Sequence, residues 1–167
     1  MRVILGSAQL GCVAYGVTNQ NGVLSHSELK KILSILPQYN INSLDTAPVY
    51  QSEKRLGVCI NEGKYDFTFL SKTPSFDDVE AITQKEVDLT EQTLLRSLET
   101  LGVHSLEVLS VHNSHGLLKP GAKLLYRALQ KWKEQGLIKN IGATVYKASE
   151  IKRLLNYTDV KVIQAPV

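Results

Sequence analysis

The chain has 167 residues, of which 43% are hydrophobic and 21% charged; that balance suits one globular domain large enough to bury a core. Its formal charge of +3 comes from Lys and Arg scattered among Asp and Glu, which excludes the basic stripe of a nucleic-acid binder. No apolar run reaches the roughly 18 residues of a membrane-spanning helix. The opening segment, residues 1–6, lacks the charged and long apolar regions of a signal peptide and reads as a strand. Cys12 and Cys59 lie far apart without metal-type spacing, the pattern of reduced thiols in a cytoplasmic protein.

Along the chain, short β-rich runs alternate with longer helical ones. Residues 3–5 open as a strand. Ser25 begins a helix, and Glu28 completes a capping box with it. Leu29, Ile32, Leu33 and Leu36 fall at i, i+3, i+4 and i+7, one helical face, and Pro37 ends the run. A strand at 42–46 precedes a helix at 53–60, with Leu56 and Ile60 on one side. Residues 67–71 form a third strand of β-favouring residues. A long helix is expected over 88–101, built on Leu94, Leu95, Leu98 and Leu101 and stopped by Gly102. The fourth strand spans 106–111. Leu124, Leu125, Ala128, Leu129 and Trp132 mark the next helix, closed by Gly136. A fifth strand at 140–145 leads to a helix starting near Ser149, with Ile151, Leu154 and Leu155 on its apolar face. Residues 160–165 form a sixth strand.

This alternation predicts an α/β fold with parallel pairing. Two architectures satisfy it: an open doubly wound sheet and a (β/α)8 barrel. The glycines of GSAQLG, Gly6 and Gly11, do not form the GxGxxG fingerprint of the first. Six strands are too few to close the second, so the sheet is either open or a barrel cut short.

Polar groups collect where the strands end. Asp45 closes the second strand and Tyr50 follows it; Lys72 closes the third, His112 the fourth, and Gln164 lies in the sixth. At the carboxyl ends of barrel strands such groups converge on one face. Each also has a plainer reading: Asp45 as a helix cap, Tyr50 as a half-buried aromatic with a wet hydroxyl, Lys72 as a surface charge, His112 as a structural histidine. Taken together, they suit protonation of an oxygen while hydride reaches the adjacent carbon. A tyrosine of ordinary pKa about 10 is a poor donor near neutrality, and an ammonium beside it favours the phenolate. A carboxylate holds that ammonium, and a histidine orients a carbonyl. The hydride must come from a cofactor. Lys72 could instead form a Schiff base. HNSH, with His112 and His115, offers no third metal ligand by motif, so no metal is expected.

At these residues the sequence resembles the aldo-keto reductases. DTAPVYQSEKRLG at 45–57 is similar to that family's DTA-x-x-Y-G-x-S-E-x-x-L-G motif, and RSLETLGVHSLEVLSVH at 96–112 to its third helix and fourth strand. LQKWKEQGLIKNIGAT at 129–144 resembles its signature entering the fifth strand, and Lys72 in LSKT matches its lysine. The resemblance implies one domain over 1–167, a (β/α)8 barrel truncated after the sixth strand. It implies reduction of a small-molecule aldehyde or ketone with NADPH, or NADH. Carried over, Tyr50 is the acid/base, Lys72 and Asp45 its tuning partners, and His112 the carbonyl orienter. Thr144 and Gln164 match positions that hold the nicotinamide carboxamide, and Gly6, Ser7 and Ala8 match the first-strand segment beside the cofactor.

The sequence departs from the pattern in places. Gln51 stands where the family has Gly, and Thr144 and Val145 where many members have Ser and Asn. The TVY stretch at 144–146 is closer to bacterial branches, some tied to sugar pathways. The resemblance implies two further strand–helix units, bearing an aromatic that stacks on the nicotinamide and basic residues for the phosphates. Without them, open sheet edges would invite self-association. The alternative function is then a catalytically silent remnant acting as an interaction protein.

Overall fold

The computed structural model describes residues 3–11, 22–154, 157 and 159–166. Met1, Cys12, Leu155 and Val167, which the sequence reading touches, lie outside the described residues. Among the described residues six strands are present: β1 (Leu5–Gly6), β2 (Ser43–Asp45), β3 (Thr68–Lys72), β4 (Leu106–Val111), β5 (Ile138–Thr144) and β6 (Val160–Gln164). Between them run helices α1 (Ala8–Gly11), α2 (His26–Ile35), α3 (Glu53–Gly63), α4 (Gln84–Leu101), α5 (Ala122–Glu134) and α6 (Ala148–Leu154). Among the described residues, no helix is long and apolar enough to cross a membrane.

Every strand pair is parallel, and the order across the sheet is β1-β2-β3-β4-β5-β6. A doubly wound sheet reverses its strand order at a switch point; this one never reverses. Each step goes the same way, and α2 packs on α3, α3 on α4 and α4 on α5. The sheet is also strongly curled. In a flat sheet β2 and β6 would stand roughly 19 Å apart, four strand spacings. Yet Gln164 Nε2 of β6 donates to Asp45 Oδ2 of β2 at 3.2 Å. Sequential parallel order with this curl is the geometry of a barrel wall.

Local chemistry explains the elements. Ser25 and Glu28 form both halves of the expected capping box at α2, and Pro37 sits in the first turn of a short 3-10 segment that follows it. α4 begins at Gln84, before the expected 88, because Thr83 and Glu86 form a second capping box that the TQKE sequence already spells. α3 continues past 60 to Gly63 and stops where Lys64 turns left-handed, φ 52°. Gly102 and Gly136 take positive φ at the ends of α4 and α5, as expected. Leu94, Leu98 and Leu101 are buried, whereas Leu95 is 49% exposed. Leu124 and Ile151 are likewise exposed while Leu125, Leu129 and Leu154 are buried. The expected apolar stripes were drawn one residue too wide, since one residue is 100° of helix turn.

Helices α3 and α4 touch backbone to backbone at Gly57. A Cβ there would stand 2.1 Å from the Thr100 carbonyl oxygen and 3.3 Å from Leu101 Cα. Neither atom can swing aside. Gly57→Ala should therefore cost at least about 1–3 kcal/mol, the usual range for an overpacked core. Urea unfolding measures it, and an unchanged midpoint would mean the helices do not approach this closely.

Candidate active site

Parallel register carries the polar strand ends to one rim. Gly6 pairs with Asp45, Asp45 with Leu70, Lys72 with Ser110, Val111 with Ala143, and Thr144 with Gln164. A cavity of about 560 Å³ opens there, lined by Tyr50, Lys72, His112, Thr144 and Gln164 among others. Val49, Ser75 and Tyr146 stand among its walls, with Ala165 and Pro166 just past the end of β6. The sequence reading singled out none of these for a role; the available signal was their place just beyond strand ends.

Lys72 is 3% exposed. Its Nζ donates to Asp45 Oδ1 at 2.8 Å, Asp45 Oδ2 at 2.9 Å and the Thr46 carbonyl at 3.2 Å. Lys72 is therefore no surface charge, and Asp45 is no helix cap; the two form a largely buried ion pair. The same ammonium lies 5.3 Å from the centre of the Tyr50 ring. Tyr50 ends a 3-10 turn, Pro48–Tyr50, and is itself 8% exposed. Gln51 follows with φ 55°, in the left-handed region that favours glycine. A glycine would take this conformation without a Cβ penalty, whereas Gln51 bears it.

Gly11 also belongs to this corner. A Cβ on it would stand 2.3 Å from the Tyr50 carbonyl oxygen and 2.6 Å from Ser52 N. The GSAQLG glycine thus admits the Tyr50–Ser52 backbone rather than a phosphate. Ala8 packs with Ala47 and Tyr50. Ser7 Oγ is hydrogen-bonded to Ser52 Oγ at 3.0 Å, and Ser7 N donates to the Asp45 carbonyl at 2.8 Å. Gly6, Ser7 and Ala8 therefore stand beside the site through β1, but they do not line the cavity. Gly6 is exposed, with open space where a Cβ would be.

His112 is half-buried, and its backbone N–H donates to Thr73 Oγ1 at 3.2 Å. Burial holds its pKa below the ordinary value, and the Lys72 charge lowers it further. The ring is thus held neutral at pH 7. Thr144 is 7% exposed, and its Oγ1 has no hydrogen-bond partner among the described residues. A buried hydroxyl facing a cavity without a partner suits an amide group from a ligand. Beneath the rim, Glu53 is buried, accepting Ser71 Oγ at 2.9 Å and Ser97 Oγ at 2.8 Å. Burial pushes its carboxyl pKa up. His115 of HNSH turns its ring to Glu150, with Nε2 at 3.1 Å from Oε1.

Sequential parallel strand–helix units with polar groups gathered at the carboxyl strand ends define a barrel-type α/β fold with a strand-end site. The chain belongs to the Aldo/keto reductase family, whose model matches residues 2–167. A rat (Rattus norvegicus) member of aldo-keto reductase family 1 is 26% identical over 136 residues, 71% of this chain and 42% of its own length. The chain thus spans under half of that relative. An aldo-keto reductase of Bacillus halodurans, in its holo form, superposes with a TM-score of 0.75 at 17% identity, covering 99% of this chain and 53% of that one. A Bombyx mori aldo-keto reductase in complex with NADP gives 0.68 at 22% identity, over 99% and 54%. At these identities the structural likeness speaks for the fold alone. It matches these strands to the barrel of such reductases, and so decides between the two architectures left open by the sequence.

The electrostatics of His112 can be checked directly. Its ring Cε1–H resonance should titrate with a midpoint below 6.5. Lys72→Met should raise that midpoint, since the Lys72 charge is one of the two causes that lower it. The stability linkage has a definite sign: the unfolded state takes up the proton first, so stability falls as pH drops from 6.5 toward the folded pKa. A His112 midpoint at or above 6.5 would contradict the burial described here.

Proposed function

We propose that this chain carries the catalytic face of an NAD(P)H-dependent oxidoreductase that reduces an aldehyde or ketone. Residues 1–167 then form a single domain supplying six of the eight strand–helix units of the barrel. The observation that carries the reading is the convergence of Tyr50, His112, Thr144 and Lys72, held by Asp45 behind it, on one cavity. Bound NADPH, or NADH, would supply the hydride. The chain's own residues do the rest. Tyr50 gives its phenolic proton to the carbonyl oxygen as the carbon is reduced. The Lys72 ammonium stabilises the charge left on the phenol, and Asp45 keeps that ammonium in place. His112, neutral, donates a ring N–H to the same carbonyl oxygen and sets its direction.

The residues present fit a nicotinamide. The Thr144 hydroxyl, with the Gln164 amide beside it on the cavity, would hold the carboxamide. Gly6 offers open surface next to it, and Ser7 and Ala8 fix that strand end through Ser52 and Tyr50. A sugar-type carbonyl is the narrower form of the reading, resting on the TVY stretch at 144–146. Imine chemistry fits less well: Nζ of Lys72 already donates to three acceptors, leaving no lone pair for a carbonyl carbon.

Tyr50→Phe decides the assignment. Carbonyl reduction should fall by about 100- to 10,000-fold, the contribution of a positioned proton donor. NADPH affinity, read by fluorescence titration, should stay within about twofold. Near-wild-type turnover in the variant would remove Tyr50 from the mechanism.

A further inference from the structure

Two loops meet at the cavity: residues 73–83 between β3 and α4, which give it Ser75, and residues 112–121 between β4 and α5, which give it His112. They are interlocked rather than merely adjacent. Lys119 Nζ donates to the main-chain oxygens of Phe76 at 2.6 Å and Asp77 at 3.1 Å, and to that of Val79. Asn113 Nδ2 donates to Asp77 Oδ1 at 2.8 Å, and Ile82 N to the Pro120 carbonyl at 2.9 Å. Gly121 has φ +76°, and a Cβ on it would lie 2.0 Å from Ile82 O. Phe76, 3% exposed, fills the space over Gly116.

Lys119 is unusual within this set. It makes no ion pair with a carboxylate among the described residues. Its ammonium is spent on three carbonyls that a turn has gathered in one place. Such a group of carbonyl dipoles needs a cation with several donors, and holding a long side chain there costs rotamer entropy. The loop so held is part of the site: Ser75 lines the cavity, and Thr73 Oγ1 receives the His112 backbone N–H.

We infer that Lys119 is a positioning residue of the site: its ammonium fixes the 73–83 loop as the wall beside the carbonyl substrate, and through Thr73 it sets the placement of His112. The wall's purpose rests on the reductase reading above; the fixing of the loop does not. The HNSHGLLKP segment thereby gains a role that its two histidines alone did not suggest.

Hydrogen–deuterium exchange of Lys119→Met tests the loop. The amides of Val79 and Ile82, bonded to Phe76 O and Pro120 O in the native protein, should exchange at least about tenfold faster, the loss expected on removing hydrogen bonds from a charged donor. Lys119→Arg should recover part of this protection. Asn113→Ala should give a smaller loss at the same amides, which keeps the test open if Lys119→Met does not fold. Lys139→Met, at an exposed lysine paired with Glu107, should change nothing. The His112 ring resonance should move in Lys119→Met and not in Lys139→Met. In kinetics, KM for the carbonyl should rise about 5- to 20-fold, with kcat and NADPH affinity within about twofold. Unchanged exchange would overturn the inference. Faster exchange with an unmoved His112 signal and unmoved KM would reduce Lys119 to a purely structural lysine. A completed barrel inactive on every carbonyl tried would count against the reductase reading, while exchange and the His112 signal would still judge Lys119.

Discussion

The Lys72 ammonium is the constraint around which this structure is arranged. Removing a charge from water costs several kcal/mol unless other groups replace the solvent. Here Asp45, the last residue of β2, and the carbonyl of Thr46 just after it replace the solvent. The pairing works only if β2 and β3 are neighbours, parallel, and offset so that Lys72 reaches back over Asp45, which is the register observed. Gln164 reaches the same carboxylate from the far side of the sheet, so the pair also marks the point about which the sheet curls. Tyr50 lies against the ammonium, and the field of that charge extends to His112.

A second tier of contacts makes this corner rigid. Glu53, in the first turn of α3, ties that helix to β3 through Ser71 and to α4 through Ser97. Because Glu53 begins just after the Tyr50–Gln51 turn, anchoring it also anchors the turn. Arg55 on the same helix donates to the Leu10 carbonyl at 2.6 Å and to the Leu24 carbonyl, clasping the segments on either side of residues 12–21. Gly11 lets α1 press on the backbone of the tyrosine turn. Tyr50 is thus held from below by a buried carboxylate and from the side by close backbone packing.

Much of the fold was legible because its signals are local. The capping box at Ser25, the left-handed stops at Gly102 and Gly136 and the strand at Leu106–Val111 were read from neighbouring residues and hold. The misses have local causes too. The TQKE capping box at Thr83 was overlooked, and Leu95 and Leu124 were placed on buried faces because apolar identity was weighed above angular position. GSAQLG could be rejected as a phosphate loop, but nothing nearby told what Gly11 is for, since its partner lies about forty residues on, at Tyr50–Ser52.

The sequence by itself determined which residues stand at the strand ends. Alternation of elements places Asp45, Lys72, His112 and Gln164 there, and parallel pairing sends those ends to one rim. That inference needs only periodicity and chain order. Only the tertiary structure decided what the groups do to one another: that Asp45 is an ion-pair partner and not a cap, that Ser7 turns inward to Ser52, that the Thr144 hydroxyl is left without a partner among the described residues, and that Lys119 spends its charge on carbonyls. Burial, register and the curl of the sheet arise from contacts between residues tens of positions apart. A side chain's identity lists the bonds it can make; the position of distant backbone chooses among them.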